Sequence, residues 1–376
     1  MASVGALSSL SVIFLFGCTS PTLSPDGGNA SQDDGSLGRM DAIGDTGHVV
    51  VINAVPSCSA DSKPSTLLSI DHILPPSLAG TSAGASPSSP EGDQLLPDFA
   101  NALLIDDTGI YINAGLVLRS PLVGGRATQL GSGPALVSSF ARIDPFLWAA
   151  ANWGVPGLLQ LPIDGTAPTF SPSLEGIRGV AGGGGFAFFT TDGNKTVASF
   201  GNDVVPGPTI SLANSGTDRI AIVGSDVFVV TNRSGTTATS IERGSIEGGD
   251  ATVIATSAGD IVGLAANSTF VYWVEATIGS ASRIVRRASH DGAAQEIVAS
   301  MNVSSLIVDD AAAYFAVDDG RILETATDTG TTTILAQGQV RPSAITQFGP
   351  RVYWINDRVA SPASQPKANA VMTACK

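Results

Sequence analysis

The chain has 376 residues, of which 43% are hydrophobic and only 14% charged, with a formal net charge of −14 at pH 7. This length is enough for one large or two ordinary domains. The acidic balance excludes general binding of nucleic acid, which needs a basic face, and disfavours electrostatic docking on anionic lipid. Because 43 Gly and 22 Pro are present and no long stretch has a 3.6-residue apolar period, the composition favours an all-β protein.

The N-terminal residues 1–18 have the pattern of a targeting segment. An apolar run from Val4 to Phe16 is too short to span a bilayer but has the length of a signal-peptide core. It ends in Leu-Phe-Gly-Cys, which resembles a bacterial lipobox, and the resemblance implies a lipoprotein whose Cys18 carries the lipid. The alternatives are a secreted protein after ordinary cleavage and an uncleaved or internal segment.

Residues 19–47 form the next segment, which is rich in Ser, Gly, Asp and Pro. Such a segment cannot bury enough apolar surface to fold, so we predict a disordered acidic tether. Residue 19, which follows Cys18 directly, is Thr. An Asp at this position would resemble the signal that retains lipoproteins in the inner membrane. We therefore expect attachment to the outer membrane, facing either the periplasm or the exterior.

Two further cysteines flank the part of the chain that is predicted to fold. If Cys18 is lipidated, Cys58 and Cys375 remain, and outside the cytoplasm such a pair is expected to be oxidised. The alternative is two unrelated thiols. A disulfide between them requires the two chain ends to meet in space.

A doublet of large apolar residues recurs seven times within residues 100–376, at steps of 37 to 44 residues. Short apolar strands and corners rich in Asp, Asn, Gly or Ser surround the doublets, which indicates four strands per repeat. Neighbouring residues of a strand point to opposite faces, so each doublet should contribute to two different cores. The doublets are Ile110-Tyr111, Leu147-Trp148, Phe188-Phe189, Phe228-Val229, Tyr272-Trp273, Tyr314-Phe315 and Tyr353-Trp354.

Four strands in about forty residues are the unit of a β-propeller blade. Seven doublets predict a seven-bladed β-propeller, with six or eight blades as alternatives. Only 22 residues follow the last doublet, with room for one strand at 369–375, so the closing blade needs a strand from the N-terminal segment 48–99. A disulfide between Cys58 and Cys375 would lock that junction. The candidate closing strands are 48–55, 66–70 and 94–99.

The clearest copy of the repeat reads VYWVEATIGSASRIVRRASHDGAAQEIV at 271–298, and VYWIND at 352–357 is another. These stretches resemble propellers with YWTD-type repeats. They are more similar to bacterial secreted propellers whose blades read apolar-Asp-x-x-x-Tyr-Trp and then Arg-x-x-x-Asp-Gly. The resemblance covers about residues 100–358 and implies the propeller fold. The Thr-Asp half of the motif is absent nearly everywhere, so no ligand role is carried over from the eukaryotic receptor propellers.

Three acidic pairs fall at predicted hairpin corners. Asp is a preferred turn residue, so we interpret the pairs as structural turns, and cation binding by their carboxylates is the alternative. No EF-hand or nonapeptide calcium pattern is present, and we expect neither a metal nor a cofactor. The pairs are Asp106-Asp107, Asp309-Asp310 and Asp318-Asp319.

Arg283, Arg286 and Arg287 are the densest basic cluster of this acidic chain. On a strand, Arg283 and Arg287 share one face and Arg286 lies on the other. We interpret the cluster as a solvated strand face. A patch for an anionic partner or a sugar acid is the alternative.

Few residues have the pattern of a catalytic site. Of the three histidines, His48 and His72 precede the repeats and His290 occupies a turn, and no GxSxG, HExxH or Walker A sequence occurs. We therefore expect a monomeric binding or scaffolding module for a protein or polysaccharide, attached to the membrane only through its lipid. The alternative is an extracytoplasmic lyase or glycoside-active enzyme that combines carboxylates from several blades.

Overall fold

The computed structural model consists of short β-strands joined by tight turns. In the part of the chain that it describes there is no helix, hence none that could span a bilayer. The predicted signal segment, the tether and Cys18 lie outside this part, as does the candidate strand 94–99. The described residues are 51–52, 58, 64–70, 102–113, 117–122, 125–130, 136–153, 157–166, 169–171, 176–191, 193–232, 239–276, 283–292, 295–359 and 368–376.

Seven sheets, each with a core of four strands, follow one another around a ring and are called blades 1 to 7. Within a blade the four strands pair antiparallel and are counted from the centre outward. The first strands of consecutive blades contact each other, and the first strand of blade 7 contacts that of blade 1. The chain is therefore a seven-bladed β-propeller, and the prediction from the doublet spacing is confirmed.

The strands have the following bounds, in chain order. Two strands precede the repeats, namely β1 (Val51–Ile52) and β2 (Ser65–Ile70). Blades 1 to 3 contain β3 (Leu103–Asp106), β4 (Gly109–Asn113), β5 (Val117–Ser120), β7 (Thr128–Leu130); β8 (Leu136–Ile143), β9 (Phe146–Trp153), β10 (Gly157–Pro162), β11 (Thr169–Ser171); and β12 (Ile177–Gly183), β13 (Phe186–Thr191), β14 (Thr196–Phe200), β15 (Ile210–Ser211). The short β6 (Gly125–Arg126) lies between β5 and β7 in the chain but pairs with β1.

The remaining blades follow the same order. Blades 4 and 5 contain β16 (Ser215–Val223), β17 (Asp226–Asn232), β18 (Thr239–Ser245), β20 (Thr252–Ser257); and β21 (Asp260–Ala266), β22 (Phe270–Ala276), β23 (Arg283–Ser289), β24 (Gln295–Ser300). The short β19 (Gly249–Asp250) lies between β18 and β20 in the chain and pairs in parallel with β15 at the outer edge of blade 3. Blades 6 and 7 contain β25 (Val303–Val308), β26 (Ala312–Val317), β27 (Arg321–Ala326), β28 (Thr332–Ala336); and β29 (Pro342–Phe348), β30 (Arg351–Val359), β31 (Ala368–Cys375).

Blade 7 closes the ring with strands from both ends of the described chain, as predicted. Its first three strands are β29, β30 and β31, and its fourth is β2, which is the candidate strand 66–70. Part of the candidate 48–55 forms β1, which joins β2 to β6 beside blade 1. Cys58 and Cys375 form the predicted disulfide across this junction, at a sequence separation of 317 residues.

The second strand of each blade is covered by a neighbouring blade on both sides. All six residues of β26, for example, are buried. In β22, Tyr272 packs into the core shared with blade 6, and Trp273 packs into the core shared with blade 4. The doublet is therefore a consequence of double burial, because adjacent residues of a strand must fill two different cores.

Strand pairing and packing identify which doublet residues are equivalent. In blade 5, Tyr272 lies opposite Ala265 in the first strand and Arg287 in the third. Each of the seven inter-blade cores contains one aromatic residue at the position of Tyr272. In blades 1 and 2 this residue is the second member of the doublet read from the sequence, so the structural doublet starts one residue later there. The seven residues are Tyr111, Trp148, Phe188, Phe228, Tyr272, Tyr314 and Tyr353.

The Asp-Gly corner after β23 combines a tight turn with a contact between blades. Gly292 has a φ of +74°, and a Cβ atom there would lie 2.2 Å from the carbonyl oxygen of Ile254 in blade 4. Only glycine meets both conditions, a left-handed backbone and this close approach.

Candidate functional site

The first strands of the blades enclose a central channel. In blades 2 to 7 the first strand shows a register shift against the second, which marks a bulge. A bulge leaves a residue without a partner in the ladder and redirects its side chain. Ser138 in blade 2, Ser304 in blade 6 and Ala344 in blade 7 are skipped by the pairing in this way, and all three face the space of the channel.

Serine pairs at two of these bulges connect neighbouring first strands. In blade 2, Ser138 Oγ donates to the carbonyl oxygen of Arg178 at 2.8 Å, and Ser139 Oγ accepts from the first strand of blade 3 at 2.9 Å. Ser304 and Ser305 make the same two bonds from blade 6 to blade 7, at 2.5 and 3.1 Å. The serines therefore hold the channel wall together while they present polar groups at its surface.

Two adjoining cavities occupy the channel, of about 450 and about 440 Å³. Both touch Ser138 and Ala344. Cavities of this size are typical of sites that enclose a small molecule or a segment of a larger ligand. The larger cavity takes its lining from five blades, including Ser138, Arg219, Val262, Ser304, Ser343 and Ala344.

Two arginine side chains line the channel although the protein is acidic. Arg219 of blade 4 lines the larger cavity, and Arg142 of blade 2 lines the smaller one. Arg142 is held by Asp106 of blade 1, whose Oδ2 lies 3.1 Å from Nε, and by a closer contact with Asp144. Guanidinium groups and hydroxyls are donors that suit carboxylate, phosphate or sugar oxygens.

Unusual backbone conformations occur just before and within β29, the first strand of blade 7. Arg341 and Ala344 have φ values of +43° and +45°, a region that residues other than glycine rarely adopt. Such residues persist where the surrounding structure holds them, and they cluster at ligand-binding positions. Of these two residues, Ala344 lines both cavities, so an unusual backbone conformation lies at the channel wall itself.

The residues that line the channel are not among the site residues that the sequence pattern predicts. One signal could have identified them, because Val-Ser-Ser occurs at 137–139 and again at 303–305. Both copies occupy the first strand of a blade, whereas the aromatic doublets mark the second strand.

The acidic pairs serve as hairpin turns, which confirms the interpretation from sequence. Asp106 Oδ1 accepts hydrogen bonds from the N–H groups of Thr108 and Gly109, at 2.7 and 3.0 Å. Asp309 Oδ1 makes the equivalent pair in blade 6, and Asp319 binds the guanidinium group of Arg321 in its own turn. Within the described ranges, no group of three His, Cys, Asp or Glu side chains could hold a metal ion.

The last residue of the chain binds one of these turns. Lys376 Nζ lies 2.7 Å from Asp309 Oδ2, which also accepts a hydrogen bond from Tyr314. Burial raises the pKa of Asp309, but hydrogen bonds from Lys376 and the N–H of Ala312 outweigh it, so the pKa falls below its usual value. Burial and then the charge of Asp309 raise the pKa of Tyr314. This group therefore holds the C-terminus against blade 6.

The arginine cluster lies half-buried, so the interpretation as a solvated strand face is wrong. Arg286 pairs with Glu275 at 2.8 Å on one face of blade 5. On the other face, Arg283 donates to the carbonyl oxygen of Val303 in blade 6. Arg287 stacks on Phe270 with its Cζ 4.5 Å from the ring centroid. Binding of an anionic partner by these three residues stays a prediction.

Arg287 belongs to a repeated contact that we call the inter-blade latch. In a latch, the third-strand residue opposite the aromatic doublet donates to a backbone carbonyl in the outer turn of the next blade. Four blades contain it within the described residues, and Arg287 is the arginine of the Arg-x-x-x-Asp-Gly sequence at 287–292. The latches are Arg119 to Ile163 at 3.0 Å, Gln160 to Asn202 at 2.6 Å, Arg243 to His290 at 3.3 Å and Arg287 to Thr327 at 2.9 Å.

His290 lies in the turn after β23, as predicted, and joins blades 4 and 5. Its Nδ1 is 3.0 Å from Asp226 Oδ2, and its Nε2 is 2.9 Å from the carbonyl oxygen of Asn267. The ring also packs on Phe228, with 4.8 Å between the centroids. These contacts give His290 a structural role, while His48 and His72 lie outside the described residues.

Comparison with known proteins gives matches among solved structures only. Neither the protein-family models nor the curated proteins searched contain a match. The virginiamycin B lyase from Staphylococcus aureus is 16% identical, with a TM-score of 0.54 over 73% of this chain and 95% of that one. The WD40 β-propeller domain of Doa1 is 10% identical, with a TM-score of 0.52 over 73% and 93%. The shared feature is the fold. At these identities the likeness establishes a β-propeller and does not extend to an activity.

Proposed function

We propose that this chain is a binding or scaffolding propeller of the bacterial cell envelope, with a protein or glycan ligand seated in the central channel. The observation that carries the proposal is the cavity of about 450 Å³ that residues of five blades line. Because the lining comes from blades far apart in sequence, the closed ring is required to assemble it.

The chemistry of the wall supports a hydroxyl-rich or anionic ligand. Ser138, Ser304 and Ser343 place hydroxyl groups at the cavity, and Arg219 adds a guanidinium group. Apolar side chains such as Val262 and Leu306 lie between them. Mixed polar and apolar surfaces of this kind suit sugars, whose rings present both hydroxyl groups and C–H faces.

A second candidate is an extracytoplasmic lyase or glycoside-active enzyme. The observation in its favour is a linked carboxylate, arginine and tyrosine, because Asp106 contacts Arg142 at 3.1 Å and Thr108 joins Asp106 to the hydroxyl of Tyr111. Asp106, however, caps its own hairpin, the role that Asp309 has in blade 6. We favour binding because an equivalent Asp recurs in blade 6 as the cap of a hairpin, which is a structural role.

Blocking the channel should abolish binding. Val262 is half-buried in the channel wall, so we expect the larger side chain of Val262→Trp to fill the cavity. Retention of this variant on the immobilised ligand should fall at least tenfold below that of the wild type. The measurement is retention of the full chain on immobilised peptidoglycan, bacterial polysaccharides and envelope proteins. Val253→Trp is the matched control, since Val253 is 46% exposed on the outer strand of blade 4. Equal retention of both variants, or no retention of the wild type, would contradict the proposal.

The envelope location is part of the proposal, and its support is the lipobox-like sequence that ends at Cys18. We expect radiolabelled palmitate to enter the protein in bacterial cells and to be absent from a Cys18→Ala variant. A Cys58→Ser variant is the control for the loss of a cysteine elsewhere in the chain. It should incorporate as much palmitate per mole of protein as the wild type. Labelling that survives Cys18→Ala would contradict the lipid anchor.

A further inference from the structure

The chain has four tyrosines, and all four occupy the aromatic position of a doublet. Three of their hydroxyl groups have protein partners. The hydroxyl of Tyr111 lies 2.5 Å from Thr108 Oγ1, that of Tyr314 donates to Asp309, and that of Tyr353 bonds with Thr373. Tyr272 differs. Its side chain is only 1% exposed, and no group of the described residues forms a hydrogen bond with its hydroxyl oxygen.

Tyr272 lines a small cavity between blades 5 and 6, which we call the Tyr272 cavity. Its volume is about 170 Å³. Thr327 lines it from blade 6, and the buried Thr327 Oγ1 is likewise without a hydrogen-bond partner among the described residues. Two buried hydroxyl groups from different blades therefore border one space. Leaving such groups unsatisfied is unfavourable, so the arrangement implies an occupant that accepts hydrogen bonds.

Arg287 supplies the charge of this cavity. Its guanidinium group lines the wall and is held in place by the latch to the Thr327 carbonyl oxygen at 2.9 Å and by the ring of Phe270. A cation that the protein already orients can bind an anion with little further loss of side-chain freedom. The cavity wall therefore combines an oriented guanidinium side chain with two residues that carry hydroxyl donors.

Much of the remaining wall is aliphatic, and Thr325, which also lines it, has its hydroxyl group bonded to Thr332 Oγ1 at 2.8 Å. Val298, Ala313 and Ala326 line it and offer no polar side-chain atoms. A water molecule needs two to four polar partners, and at about 30 Å³ per molecule the space equals roughly five waters. An apolar wall cannot satisfy such a cluster. A small molecule with one charged end and a short hydrocarbon tail matches both halves of the cavity.

We propose that the Tyr272 cavity binds a short aliphatic monocarboxylate. The carboxylate accepts hydrogen bonds from Tyr272 and Thr327 beside the guanidinium group of Arg287, and the hydrocarbon tail packs on the aliphatic wall. Charge-assisted hydrogen bonds to a carboxylate are stronger than bonds to a neutral acceptor, which favours this occupant over a neutral one. The site is separate from the central channel and goes beyond the proposed function, because it needs no channel ligand.

Titration calorimetry of the full chain with sodium butyrate tests the proposal, with sodium chloride at equal ionic strength as the reference. We expect saturable binding of one butyrate per chain. Tyr272→Phe and Thr327→Val each remove one hydroxyl group at nearly constant volume, and each should weaken binding at least tenfold. Two variants are used so that the test stands if one of them fails to fold.

Tyr111→Phe is the matched control, since it removes the hydroxyl group from the same strand position in blade 1, and its affinity for butyrate should equal that of the wild type. Absence of saturable binding in the wild type would overturn the proposal and leave water as the occupant. Equal affinity of Tyr272→Phe, Thr327→Val and the wild type would overturn it as well. Loss of channel binding in Val262→Trp would leave butyrate binding intact, so the two proposals fail separately.

Discussion

Removal of the Cys58–Cys375 disulfide is expected to lower the free energy of unfolding by about 2 to 5 kcal/mol. The bond joins the segment before β2 to the end of β31, and these two strands pair in blade 7. Without it, the closing blade is held only by strand pairing and packing, and the unfolded chain regains the freedom of a loop of 317 residues. Opening of blade 7 would expose the cores that it shares with blades 6 and 1.

The measurement is urea unfolding of the wild type, of Cys58→Ser and of the double variant Cys58→Ser with Cys375→Ser. Both variants lack the bond, so they should lose similar stability. The wild type with a reducing agent should unfold at the same urea concentration as the double variant. A difference of less than about 0.5 kcal/mol between wild type and double variant would show that the closure does not depend on the disulfide.

Replacement of Glu242 by alanine is expected to lower stability by about 3 to 5 kcal/mol, because several donors around its buried carboxylate would lose their acceptor. Glu242 lies in the third strand of blade 4 with 0% exposure. Its Oε2 accepts from the N–H of Ala213 at 2.7 Å, and its Oε1 accepts from the N–H of Asn214 at 3.1 Å. The hydroxyl of Thr231 donates to Oε1 at 2.9 Å.

These contacts make Glu242 the anchor of the connection between blades 3 and 4. Glu242→Gln keeps an acceptor and the side-chain volume, so it should lose less stability than Glu242→Ala. Glu247→Ala is the control, since Glu247 is exposed in the turn after β18 and should change stability by less than about 0.5 kcal/mol. Urea unfolding checks all three variants. Equal stability of Glu242→Ala and Glu247→Ala would refute the anchoring role.

The architecture was predictable because the elements of a propeller are local and repeated. A second strand buried on both faces needs large apolar residues at neighbouring positions, so Tyr272-Trp273 and its copies count the blades directly. The shortage of chain after Trp354 likewise predicted that a strand from the N-terminal segment would complete blade 7, and the structure shows that β2 is this strand. Both arguments need only strand periodicity and chain length.

Other features could not be predicted from the sequence because they depend on contacts between blades. Arg287 was interpreted as part of a solvated face, whereas it donates to a carbonyl 40 residues away in the next blade. The start of the doublet in blades 1 and 2 was also one residue off, because both residues of Ile110-Tyr111 are apolar and only the packing distinguishes them. Side-chain chemistry alone does not reveal which face of a strand meets which neighbour.

The amino-acid sequence by itself determined the blade count and the closure from both ends, since both follow from spacing along the chain. It also predicted the pairing of Cys58 with Cys375, because these two cysteines remain once Cys18 is set apart. Only the tertiary structure decided where a ligand could sit. The channel and the Tyr272 cavity are both lined by residues of different blades, and their hydroxyl and guanidinium groups come together only when the ring closes. A local pattern specifies a blade, whereas a site between blades exists only in their assembly.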